Sequence, residues 1–198
     1  MTLTSELRRR FSAEPAFSSR DIRTFFAKRR LSEAYQNLMV HKMVAGGKLF
    51  RIGRGAYTFH GDAQVVGFAF QPFYYGLQDA LSLRGIWEQE TVPVAVTPRR
   101  VRAGVRAFLG VNYIVRRVSR RMFFGYEMVK RGGFWVPVSD VEKTFLDMVY
   151  FRQPLPQELV RAMAGQMRPE VLKGYLARSP AWLRLRVYKL LPHNYPLP

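Results

Sequence analysis

The chain predicts an α+β fold: an N-terminal winged helix over residues 1–62, then a mixed α+β domain over residues 63–198 that ends in helices. Three observations carry this expectation. Between Phe17 and Phe59, two short helical patterns run into a hairpin pattern rich in glycine and arginine. Further along, four runs of β-type residues are followed by three helical patterns with proline at or near each start. A length of 198 residues at 48% hydrophobic composition is also enough for a well-buried core and two modest domains.

Leu3, Leu7 and Phe11 recur every fourth residue behind Thr2 and Thr4, which predicts a first helix over 3–11 that Glu14-Pro15 ends. Ser18 or Ser19 caps a second helix, with Asp21 in its first turn and Ile22, Phe25 and Phe26 as the apolar stripe. Ser32 caps a third that Gly46-Gly47 stops. On this helix Leu31, Tyr35, Leu38, Met39 and Met43 are expected to face the core. Glu33, Gln36, Asn37, Val40 and His41 are expected to face out. Two β-type runs, Leu49 to Ile52 and Ala56 to Phe59, are joined by Gly53-Arg54-Gly55, a loop in which glycine takes the positive φ a tight hairpin needs.

The turn at Gly61-Asp62 marks a domain boundary between His60 and Val66. Beyond it the pattern predicts a helix over 74–83, strands over 92–97, 113–118, 122–128 and 134–138, and a turn at Gly132-Gly133. A helix then runs to Tyr150, with Ser139 as cap and Glu142 completing a capping box. Final helices are expected near 156–165, 169–177 and 181–191.

Charge narrows the function. Lys and Arg total 32 against 14 Asp and Glu, a net charge of +18 that favours polyanions, above all nucleic acid. Arginine supplies 25 of those cations, which suits forked contacts to phosphate oxygens as well as a genomic bias towards arginine codons. The absence of cysteine excludes disulfides, thiolate catalysis and cysteine-ligated zinc. The charged start and the lack of any run near the roughly 20 apolar residues of a membrane span point to a soluble, cytoplasmic protein with no membrane partner.

In a winged helix the third helix enters the major groove and the wing touches the flanking backbone. Gln36 and Asn37 are suited to adenine, and His41 follows on the same face. Ser32, at the helix start, joins the candidate DNA-binding set. Arg20, Arg23, Lys28, Lys42, Lys48, Arg51 and Arg54 are candidate phosphate clamps, the last two aimed by the hairpin. For any one of them a plain solvated surface role competes.

Catalytic chemistry is thinly supplied. His41, His60 and His193 lack ligand spacing, and no phosphate loop, dinucleotide fingerprint or nucleophile elbow is present, so neither cofactor nor metal is expected. Asp140, Glu142 and Asp147 beside Lys143 have the composition of a metal-dependent nuclease site, yet also read as the acidic first turn of a helix. A third reading has Arg161, Arg168, Lys173, Arg178, Arg184 and Arg186 on the final helices gripping RNA or an acidic partner.

Three blocks carry a likeness to a known family: Gly47 to Tyr57, Tyr74 to Leu81, and Val138 to Asp147. In this order they resemble the AbiEi-like antitoxins and transcriptional regulators of type IV abortive-infection systems. The resemblance implies that the N-terminal domain represses the operator of its own operon on double-stranded DNA. It also implies that the C-terminal domain counters a nucleotidyltransferase-like toxin without a stable complex. The motif residues it marks are Ser139, Asp140, Glu142, Lys143, Thr144 and Asp147. Departures lie at Gly76 to Gln78 and after Arg152, which leaves a stand-alone regulator on the same scaffold as an alternative.

Overall fold

A computed structural model describes residues 2–27, 29, 31–131 and 133–196. The chain is α+β, with three apolar clusters of which two lie on opposite faces of a six-stranded sheet.

The first cluster belongs to the N-terminal region. Helix α1 (Leu3–Phe11) is capped by Thr2, whose hydroxyl accepts the Ser5 N–H at 3.3 Å. Strand β1 (Phe17–Ser18), α2 (Ser19–Ala27), α3 (Glu33–Ala45), β2 (Phe50–Gly53) and β3 (Ala56–Thr58) follow, and the strands form an antiparallel sheet in the order β1-β3-β2. Leu7, Phe11, Phe17, Ile22, Phe26, Val40, Met43 and Leu49 fill the space between helices and sheet. Stacking of Phe11 on Phe17 at 4.5 Å fastens α1 to β1.

The second region is a mixed sheet in the order β6-β7-β5-β4-β9-β8. Its strands are β4 (Tyr74–Tyr75), β5 (Val94–Thr97), β6 (Gly104–Phe108), β7 (Val111–Arg117), β8 (Tyr126–Arg131) and β9 (Phe134–Ser139). One face packs against α4 (Leu77–Leu83), α5 (Val141–Tyr150), α6 (Gln157–Ala164), α7 (Pro169–Arg178) and α8 (Ala181–Leu190). The other is covered by a 3-10 segment, Ala63–Phe70, and by the outer side of the N-terminal hairpin. Ile52 is buried in this second cluster, Phe50 meets Phe108 edge-on at 6.2 Å, and a Cβ on Gly53 would lie 2.8 Å from that of Ala69. The expected boundary at 60–66 is therefore a close-packed junction.

Several expectations change. The helix expected over 74–83 begins as strand β4, because Tyr74 and Tyr75 complete the sheet between β5 and β9 before Gly76 turns the chain into α4. The strand expected from Met122 starts only at Tyr126, after a short 3-10 turn at Arg120–Met122. Strand β6 was unforeseen. The expected turn at Gly132-Gly133 falls partly on Gly132, outside the described residues; Gly133 lies in the turn between β8 and β9.

Asp79 on α4 ties the layers together: its carboxylate accepts the Val94 N–H at 3.1 Å and the Gln64 side-chain amide at 3.3 Å. Burial pushes this carboxyl up from 3.8 to about 6. Because the folded value lies above the unfolded one, this group's contribution to stability is fullest below the unfolded value and is lost as pH rises through the folded one. We expect Asp79→Asn to flatten the fall in thermal midpoint between about pH 4 and about pH 7, and to raise the midpoint at the upper end. An unaltered pH profile would show that Asp79 is not the group responsible.

Candidate nucleic-acid interface

The start of α2 is held by a reciprocal cap. Ser18 donates its N–H and its hydroxyl to Asp21 Oδ2, both at 2.7 Å, and the Asp21 N–H returns to the Ser18 hydroxyl at 3.2 Å. These bonds hold the Asp21 carboxyl below 3.8. Ser32 caps α3 by accepting the Tyr35 N–H at 3.3 Å, which gives it a role in placing the helix.

The rotation of α3 differs from expectation. Gln36, Val40 and Met43 are the residues that face the core, and Tyr35 and Leu38 are about half exposed, at 47% and 50%. Gln36 is thus withdrawn from the open face: its Nε2 donates to the Leu31 carbonyl at 2.9 Å, and its Oε1 has no partner among the described residues. With apolar residues at Leu38, Met39, Val40, Met43 and Val44, the sequence supports more than one buried stripe, and packing against α2 and Tyr57 selects among them. The open face carries Glu33, Tyr35, Asn37, Leu38, His41 and Lys42.

The hairpin is tighter than the three-residue loop expected. Gly53 pairs with Ala56 after a bulge at Ile52, so Arg54 and Gly55 alone form the turn, with Gly55 at φ +69°. Its tip is fastened to α2, since the Ser19 N–H donates to the Gly55 carbonyl at 2.9 Å. Arg51 and Arg54 are exposed, the former with Nε on the Gly53 carbonyl at 3.2 Å. Arg20, Lys42 and Lys48 are exposed too, whereas Arg23 lies 3.7 Å from Glu33 in a solvent-exposed pair. Lys28 lies outside the described residues.

A second basic feature escaped the sequence reading. From Thr91 to Tyr126 there are eight arginines and no acidic residue, a signal visible as an acid-free run. The fold brings several of them beside the hairpin. Thr97, at the end of β5, donates its hydroxyl to the carbonyls of Phe70 and Pro72 and accepts the Arg99 N–H at 3.2 Å, and Arg117 pairs with Thr97 across the ladder. Arg99 donates to the Ala69 carbonyl at 3.3 Å, on the residue against which Gly53 packs, and Arg106 lies over the Phe70 ring at 5.0 Å. Arg99 and Arg106 thus lie on the Ala69-Phe70 segment against which Gly53 and Ile52 of the hairpin pack.

The Val138 to Asp147 block is interior. Asp140, not Ser139, caps α5, accepting the Lys143 N–H at 2.7 Å and the Tyr175 hydroxyl at 2.6 Å. The Ser139 and Thr144 hydroxyls share a hydrogen bond at 2.7 Å. Glu142 forms no capping box; it accepts the Arg168 N–H at 2.6 Å and its Nε at 3.1 Å. Burial alone would raise the Glu142 carboxyl, but these two bonds hold it below 4.5. Lys143 and Asp147 form an ion pair with no exposed side-chain surface, and the Tyr74 hydroxyl donates to Asp147 at 2.6 Å. Burial pushes the Asp147 carboxyl up despite the adjacent ammonium. Each carboxylate of the block is therefore held by protein groups, and among the described residues no three His, Cys, Asp or Glu side chains are grouped as metal ligands. No described helix is long and apolar enough to cross a membrane.

No protein-family model matches the chain, and no curated protein matches it. Among solved structures it is similar to the RV2827C protein from Mycobacterium tuberculosis, with a TM-score of 0.61 at 13% identity over 96% of this chain and 74% of that one. That likeness is one of fold.

Proposed function

We propose that the protein is a sequence-specific DNA-binding transcriptional regulator in which residues 1–62 act as a winged helix. Helix α3 enters the major groove with Asn37 and His41 towards base edges, Leu38 and Tyr35 beside them, and the β2-β3 hairpin grips the flanking backbone. The observation that supports this most is the pairing of an open α3 face with an exposed cationic turn, Arg54-Gly55, anchored to α2. Arg99 and Arg117 extend the phosphate-binding surface onto the second region.

In line with the family resemblance, the regulated site is the operator of the protein's own operon. Residues 63–198 then act in the cytoplasm as the antitoxin domain against a nucleotidyltransferase-like toxin, without a stable complex. A metal-dependent nuclease built on Asp140, Glu142 and Lys143 has less support, because those side chains are held by Tyr175, Arg168 and Asp147.

Salt titration tests the reading. Replacing Arg51, Arg54, Arg99 or Arg117 by alanine frees a phosphate from its cation, and each such change lowers the slope of log affinity against log salt by about 0.9. An unchanged slope in Arg51→Ala/Arg54→Ala would remove the hairpin from the interface.

A further inference from the structure

Strand β8 ends the six-stranded sheet, and no strand among the described residues pairs with its outer edge. The Asp140 N–H donates to the Gly125 carbonyl, which continues the β8-β9 register and sets the alternation of the ladder. Odd-numbered residues of β8 therefore turn their backbone groups to β9, and Tyr126, Met128 and Lys130 turn theirs outward. Tyr126 is 42%, Met128 53% and the neighbouring Trp135 56% exposed, an apolar surface beside an unpaired edge.

We propose that this edge pairs with the same edge of a second copy, antiparallel about a two-fold axis through Val129. Such an axis, perpendicular to the sheet, keeps each face continuous, so only registers that pair odd with odd residues are allowed. Centred on Val129, the register sets Glu127 against Arg131 of the second copy, and Arg131 against its Glu127. Val129 meets Val129, which extends the existing Val129–Val136 pair into a row of four valines across both copies. On the other face, Met128 lies against the stem of Lys130 of the second copy, whose ladder neighbour is Trp135.

Neighbouring registers are poorer. Centring on Glu127 opposes two carboxylates, centring on Lys130 opposes two ammonium groups, and centring on Met128 leaves Glu127 facing Val129. Within one copy Arg84 holds Glu127 Oε1 at 2.9 Å, but the Glu127 side chain stays 62% exposed and its second oxygen can accept an arginine. The edge is therefore complementary to itself in charge. The two-fold presents two N-terminal regions symmetrically, the arrangement a two-half-site operator requires.

The test needs no DNA. Sedimentation equilibrium of the full chain, freed of nucleic acid and held at about 0.2 M salt to screen repulsion between chains of net charge +18, should show a dimer at and above ~10 µM. Glu127→Arg and Arg131→Glu should each weaken dimerisation by at least about tenfold, and the double swap should restore it to within a few fold. Arg131→Glu leaves the Arg84–Glu127 pair in place. A wild-type chain that stays monomeric to ~100 µM, or a double swap no better than either single change, overturns the proposal.

Discussion

Replacing Asp147 by alanine should destabilise the protein by about 3–5 kcal/mol, an effect large enough to lower expression as well as the denaturation midpoint. The reason is what remains. Lys143 sits within α5 with no exposed side chain, 5.5 Å from the centre of the Tyr74 ring and 5.0 Å from that of Phe124, and loses the one carboxylate that balances it. The Tyr74 hydroxyl loses its acceptor in the same step. Removing both charges leaves far less to compensate, so Lys143→Met/Asp147→Leu should recover most of the loss. Urea titration checks this. A cost below about 1 kcal/mol for the single change would mean that water reaches the pair.

Asn37→Ala should cost about 1–3 kcal/mol of discrimination at a single base pair of the bound site while leaving the salt slope intact. Asn37 is exposed on α3 one turn before His41, where an amide can donate to and accept from one adenine edge. On the proposed reading the hairpin arginines act on phosphates, so their replacement should give the opposite signature, lower affinity for every duplex and a shallower slope. Competition binding with single-base variants of a selected duplex separates the two. Equal loss across all variants would make Asn37 a bystander.

Much of the architecture was legible because it rests on local rules. Thr2, Ser18 and Ser32 cap helices as their side chains dictate, and the strands near 94, 111 and 134 follow their β-branched and aromatic runs. What escaped depends on tertiary packing. Tyr74 and Tyr75 are strand because β5 and β9 flank them, and the helical periodicity after Leu77 hid that. Gln36 turns inward because α3 offers several apolar stripes and local pattern cannot rank them. The Asp140 cap displaced the Ser139 cap because the Ser139 hydroxyl is engaged with Thr144. Arg99 and Arg117 entered the proposed interface only once the ladder set Thr97 beside both, although the acid-free run that contains them was plain in the sequence.

The central claim, recognition of duplex DNA by α3 and the hairpin, is tested most directly by selecting duplexes from a random pool with the full chain and titrating the winner against a scrambled duplex at physiological salt. The account predicts a preference of at least about 10³ for the selected sequence. Equal affinity for the two duplexes, or no binding to either, would contradict it.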